Sequence, residues 1–177
     1  LEAYCKEHDH EDMNIALAWS KAVNVTVADV VGKGLPPFPY VRESLVKAGA
    51  KADLMVCSAT PVGALREEWE GQDLERYVFT IAGQEQGKKS EHIALASEGR
   101  YEKSHILMVG DAPGDQKAAE ANGALFYPIN PGHEDASWKR FHDEALDKFF
   151  AGTFAGDYQE KIIAEFEQYL PATPPWK

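Results

Sequence analysis

The sequence predicts an α/β protein built on a doubly wound parallel sheet. Three observations carry that expectation: short apolar runs at residues 54–57, 77–81, 106–109 and 124–129, helix-favouring segments between them, and glycine or proline punctuation after the runs. Strands that alternate with helices imply right-handed crossovers and parallel pairing.

Residues 11–23 place Ile15, Trp19 and Ala22 or Val23 on one helical face, and residues 26–31 are expected to form a second short packing helix. Gly32-Lys33-Gly34-Leu35-Pro36-Pro37-Phe38-Pro39 interrupts this pattern with residues that end regular structure, so a boundary is expected there. Beyond it come a helix over 40–48, a strand over 54–57, a helix over 61–70, a strand over 77–81 and a helix over 90–97. The next strand runs through Ile106-Leu107-Met108-Val109 into Gly110-Asp111-Ala112-Pro113-Gly114-Asp115. Residues 116–122 are alanine-rich, Gly123 stands where a helix C-cap needs φ > 0, and residues 124–129 read as another strand. In a last amphipathic helix, Asp157 and Glu160 are spaced as a capping box, and Tyr158, Ile162, Phe166 and Tyr169 form an apolar stripe covering the core. The proline-rich residues 171–177 suit neither a helix nor a central strand and receive no role.

A chain of 177 residues can build one substantial core with a small appended element, and 44% hydrophobic content fits an ordinary globular protein. The net charge of −11 repels nucleic acid and anionic membrane, so a phosphate-bearing ligand must be met by a local cluster of cations. Small phosphorylated metabolites fit that condition better than polymers. Cys5 and Cys57 are too few for a disulfide framework, and free thiols in a reducing cytoplasm are expected. No apolar run reaches the ~20 residues of a membrane span, and none resembles a signal peptide.

The carboxyl ends of the expected strands gather the residues suited to chemistry, because ligands of open α/β sheets bind there. Asp111 and Asp115 would make a hard, oxygen-rich site of the kind Mg²⁺ prefers, although a Gly-Asp turn is common and Asp115 also suits a helix cap. Ser58-Ala59-Thr60-Pro61 places hydroxyls before a proline at a helix start, where they serve as N-caps, as phosphate ligands, or as both. In Gly87-Lys88-Lys89-Ser90 a lysine before a helix either neutralises a phosphate or is simply solvated. His133 and Glu134, after the last strand, read as a surface turn or as the rim of the same cleft. Asp9-His10-Glu11-Asp12 reads as a solvated helix start, with a metal site the less favoured alternative.

The order of a hydroxyl after one strand, a lysine before a helix and Gly-Asp-x-x-x-Asp after another strand resembles the haloacid dehalogenase-like hydrolases, most of them Mg²⁺-dependent phosphatases. The resemblance covers residues 37–132, including Pro37-Phe38-Pro39-Tyr40-Val41 and Ala118-Ala119-Glu120-Ala121-Asn122-Gly123. It implies a Rossmann-like core over 37–177 with residues 1–36 as part of a helical cap. It further implies that Ser58, with Ala59 and Thr60, binds phosphate, that Lys88 or Lys89 stabilises the phosphoryl group and nucleophile, and that Asp111 and Asp115 hold Mg²⁺. Trp19, Lys21 and Lys33 are then cap residues that either face the site or serve packing and solvation.

One element of the family pattern has no counterpart: the Asp-x-Asp on a leading central strand, which supplies the nucleophile and the acid/base. Without that strand the sheet would carry a central slot with two rows of unpaired backbone groups. The expectation is therefore that a segment upstream of Leu1, or another copy of the chain, fills the slot, and that the 177 residues alone are inactive. With it, the chain would hydrolyse a small phosphorylated metabolite through an aspartyl phosphate. The alternatives are a phosphomutase, a phosphonate-cleaving relative, or a metabolite-binding protein without a nucleophile.

Overall fold

A computed structural model describes residues 1–31, 34–171 and 173, without the side chains of Ala28, Asp29 and Val31. The chain divides into two compact units, Leu1–Pro36 and Pro37–Lys177. No described helix is long and apolar enough to cross a membrane.

The first unit contains helix α1 (Glu2–Glu7) and helix α2 (Glu11–Val31). The two helices expected over 11–31 are one. No glycine or proline interrupts that stretch, and Thr26 donates its hydroxyl to the Ala22 carbonyl at 2.9 Å, staying within the helix. Glu11 and Asp12 lie exposed in the first turn, where negative charge suits the helix dipole. Ile15 and Trp19, expected to pack, are 60% and 68% exposed.

The second unit is mixed α/β. Helix α3 (Val41–Gly49) leads to strand β1 (Met55–Cys57), helix α4 (Val62–Gly71) and strand β2 (Thr80–Ala82). Helix α5 (Lys89–Ser97), strand β3 (Leu107–Gly110), helix α6 (Pro113–Asn122) and strand β4 (Leu125–Pro128) follow. β1 pairs with β2 and β3 with β4, both in parallel, in registers Met55↔Thr80 and Leu107↔Leu125. These are two separate two-stranded sheets.

The strand expected over 77–81 begins later, because residues 75–77 form a 3₁₀ turn. Arg42 holds that turn from outside by donating to the carbonyls of Gln72 and Asp73. The C-terminal third contains elements that the sequence reading passed over: helix α7 (Glu134–Arg140), a π-helical turn Phe141–Ala145 and helix α8 (Leu146–Phe150). The last helix, α9, spans Asp157–Gln168. Its N-cap is Gly156 at φ 78° with no side-chain cap bond, so the expected Asp157–Glu160 capping box does not form.

Apolar residues alternate along the strands and fill two layers. Leu107, Val109, Leu125, Tyr127 and Ile129 pack with Ala48, Phe141, Leu146 and Phe154 on one face. Met108 and Phe126 pack with Ile93, Ala118, Ala119 and Phe166 on the other. This is the pattern of a sheet buried on both sides. Leu54, just before β1, joins the first layer and Cys57 of β1 the second, and Cys57 Sγ lies 3.8 Å from Met108 Sδ. β1 therefore stands beside β3.

Among the described residues no strand pairs with the edges of β1 and β3 that face each other. Ser58 N–H donates to Ala82 and Phe79 N–H to Leu54, so the even-numbered residues of β1 turn toward β2. Leu125 N–H donates to Ile106 and Ile129 N–H to Gly110, so the even-numbered residues of β3 turn toward β4. By alternation, the backbone groups of Met55 and Cys57 on one side, and of Leu107 and Val109 on the other, point away from their ladders.

Two features fix the ends of this unit. Tyr40, the N-cap of α3, has φ 68°, a left-handed conformation unusual for a bulky residue. Its ring lies 5.8 Å from that of His142, and Lys139 Nζ lies 5.3 Å from its centroid. Tyr40→Ala keeps the backbone strain and loses the ring contacts, whereas Tyr40→Gly removes the strain as well. Urea denaturation should find the alanine variant less stable than the glycine variant by about 1 kcal/mol; equal stability would contradict the strain.

At the end of β4, Arg140 Nη1 donates to Glu165 Oε2 at 2.7 Å, and Asn130 Nδ2 donates to Glu165 Oε1 at 2.7 Å. The Arg140 bond holds the Glu165 carboxyl below its ordinary value of 4.5, with burial opposing it. A depressed carboxylate stabilises the fold above its unfolded pKa and loses that contribution as pH falls through the folded value. The stability gap between wild type and Glu165→Gln should therefore shrink between about pH 5 and pH 3. A gap independent of pH would refute the coupling.

Candidate functional site

Asp115 organises the carboxyl end of β3. It is 2% exposed, and its Oδ2 accepts the N–H groups of Asp111 and Ala112, each at 3.1 Å. Its Oδ1 accepts the Lys89 ammonium. The carboxylate folds back over Gly110 so closely that a Cβ there would meet Asp115 Cβ, Cγ and Oδ2 closer than 3.0 Å. Glycine at 110 is thus a steric requirement of the acidic turn.

Lys89 is the lysine brought to the acidic loop. Lys88 is exposed at the N-cap of α5, and its N–H donates to Glu91 Oε2 at 2.8 Å. The helix starts at Lys89, one residue earlier than expected, and that start turns the second lysine inward.

Ser58 is half-buried at the end of β1, and its Oγ accepts the Thr60 N–H at 3.1 Å. Its own O–H proton remains available for donation. Ala59 and Thr60 are exposed. Neither hydroxyl caps α4: the N-cap is Pro61, and the Val62 N–H donates to Glu85 Oε2 at 2.9 Å. Glu85, which the sequence reading did not single out, arrives from the loop after β2. The same loop closes on Thr60 through Gln84 N–H at 3.0 Å, and a Cβ at Gly83 would lie 2.6 Å from Val62 N. The two loops therefore move as one. A glutamate capping a helix from another loop leaves no local spacing signal, so pattern reading could not find it.

Cys57 links these parts. Burial pushes its thiol up, with Asp115 adding to the shift and Lys89 opposing it, so the end of β1 lies in the field of the Lys89–Asp115 pair. Both cysteines are free.

No protein-family model, curated protein or solved structure matches the chain.

Among the described residues no three His, Cys, Asp or Glu side chains converge as a metal cage. Mg²⁺ does not need one, since it keeps several waters and uses one or two carboxylates with substrate phosphate. Asp111 is exposed beside the buried pair and fits such a role. Asp115 has both oxygens engaged, and its geometry is that of a group that orients Lys89 and the turn.

His133 and Glu134 begin α7. His133 packs on Tyr169 with the rings tilted by 53° and centroids 4.8 Å apart, and Glu134 Oε1 accepts the Gly132 N–H at 2.9 Å. In the first unit Lys21 pairs with Glu2 at 2.6 Å, and Lys33 lies outside the described residues.

Proposed function

We propose that the chain belongs to a magnesium-dependent phosphatase of the haloacid dehalogenase-like type, acting on a small phosphorylated metabolite in the cytoplasm. The observation that carries this reading is the pair of unpaired edges on β1 and β3, with no strand between them among the described residues. A parallel strand in that gap would complete a doubly wound sheet. Its carboxyl end would emerge between Ser58 and the Lys89–Asp115 pair, where ligands of such sheets bind. An Asp-x-Asp sequence ending that strand would supply the groups that the chain lacks. A segment upstream of Leu1 is the proposed source; another copy of the chain, which carries no Asp-x-Asp, would fill the gap without supplying those groups.

In the completed site, an aspartate of the inserted strand attacks phosphorus and the alcohol leaves, protonated by the second aspartate. Water, activated by that same group, then hydrolyses the aspartyl phosphate. Ser58 donates its free proton to a phosphoryl oxygen. Lys89, tethered by Asp115, places positive charge between the nucleophile and the transferring group. The Glu85 cap and Gly83 hold the Ser58 loop at a fixed offset from α5. Asp111 would hold Mg²⁺, which when bound supplies neutralising charge to the phosphoryl oxygens.

The test is a fusion of an apolar strand ending in Asp-x-Asp to the N-terminus through a flexible linker, beside an Asn-x-Asn control. Both should raise the urea midpoint by filling the slot, and only the aspartate form should release phosphate from a panel of phosphorylated metabolites with Mg²⁺. Stabilisation without phosphate release would favour a mutase, a phosphonate-cleaving relative or a metabolite-binding protein. A strand that leaves stability unchanged would remove the reading altogether.

A further inference from the structure

A cavity of 330 Å³ lies beside β1, β2 and α5, with Gln86 of the Glu85 loop in its wall, within the range of small-molecule sites. Met55, Phe79, Leu95 and Ala96 give it an apolar wall, and His92 and Arg100 supply its charged or ionisable groups. His92 is only 4% exposed, and neither ring nitrogen has a hydrogen-bond partner. Both nitrogens are also sealed from the surface, so the ring meets the cavity only through its carbon atoms, and charged recognition there falls to Arg100.

Charge points the same way. Arg100 takes part in none of the ion pairs among the described residues. No aspartate or glutamate lines the cavity, in a chain that holds 29 of them. Phe79 and Leu95, at 59% and 77% exposed, leave an apolar flank open at the mouth.

We propose that this cavity binds a small organic acid with an apolar body, an aryl or short aliphatic carboxylate. The carboxylate pairs with Arg100, and the body covers Met55, Phe79, Leu95 and the carbon edge of His92. Ser58, Lys89 and Asp111 do not line this cavity, and its existence does not depend on the phosphatase reading.

An amide and imidazole NMR titration of the 177-residue chain with benzoate tests it, with benzamide as the neutral isostere and inorganic phosphate as a bare anion. Benzoate should give saturable shifts at His92, Leu95 and Ala96. Benzamide, or benzoate with Arg100→Gln, should bind about tenfold more weakly, the loss of one charge-assisted contact. Leu95→Asp, an exposed change that puts a carboxylate at the mouth, should weaken benzoate without altering the fold. Equal binding of benzamide overturns the carboxylate assignment. Displacement of benzoate by phosphate, or no saturable shift at these residues, overturns the site.

Discussion

Gly110→Ala is expected to destabilise the protein by about 3 kcal/mol. The new Cβ would collide with the side chain of Asp115, which has nowhere to retreat. That carboxylate is buried, receives two backbone N–H groups and holds Lys89. Relief requires it to abandon those bonds or the strand end to shift. Gly114→Ala, four residues on, is the control: a Cβ there meets nothing within 4 Å, and α6 gains a better helix former. Urea midpoints should fall steeply for the first variant and stay level or rise for the second. Similar midpoints for both would show that the acidic turn is not packed as described.

The Lys89–Asp115 pair should respond asymmetrically to loss of either partner. Lys89→Met strands a carboxylate at 2% exposure that cannot reach water, whereas Asp115→Asn strands an ammonium whose side chain is 27% exposed and can swing outward. The expected costs are about 3 kcal/mol for Lys89→Met and about 2 kcal/mol for Asp115→Asn, measured by urea denaturation. Lys88→Met, at the exposed neighbour, should stay within ~0.5 kcal/mol. If Lys88→Met costs as much as Lys89→Met, the assignment of the inward lysine fails. Should the two removals cost the same, the difference in burial does not govern the pair.

The strands were legible in the sequence where local pattern and punctuation agree. Met55–Cys57, Leu107–Gly110 and Leu125–Pro128 sit within a residue or two of their expected spans, and Gly123 closes α6 at φ 65°. β2 was misplaced because the signal at residues 77–79 is apolar and aromatic, while the turn there is held by Arg42, a residue more than 30 positions earlier. The α7–α8 region escaped notice although Trp138, Phe141, Ala145 and Phe149 repeat at helical spacing. The turn signature of Asn130-Pro131-Gly132-His133-Glu134 masks the start of that repeat. At the site, Asp111, Asp115 and the lysine pair could be read from their position after strands and before helices. Which lysine turns inward, and that Asp115 rather than a hydroxyl closes its loop, depends on where α5 begins and on the space above Gly110. Those are matters of a residue's rotation and of ångströms, below the resolution of spacing.

Each parallel pair is completed within its own stretch of chain: Met55 finds Thr80 across one intervening helix, and Leu107 finds Leu125 across another. No ladder bond joins the two stretches, so what connects them is side-chain packing such as that of Cys57 on Met108. Local pairings of this kind form early and independently, and regions joined without shared backbone bonds can open separately. Within the unit Pro37–Lys177 the two ladders share hydrophobic layers but no backbone bond among the described residues, and a strand bonded to both would couple their opening.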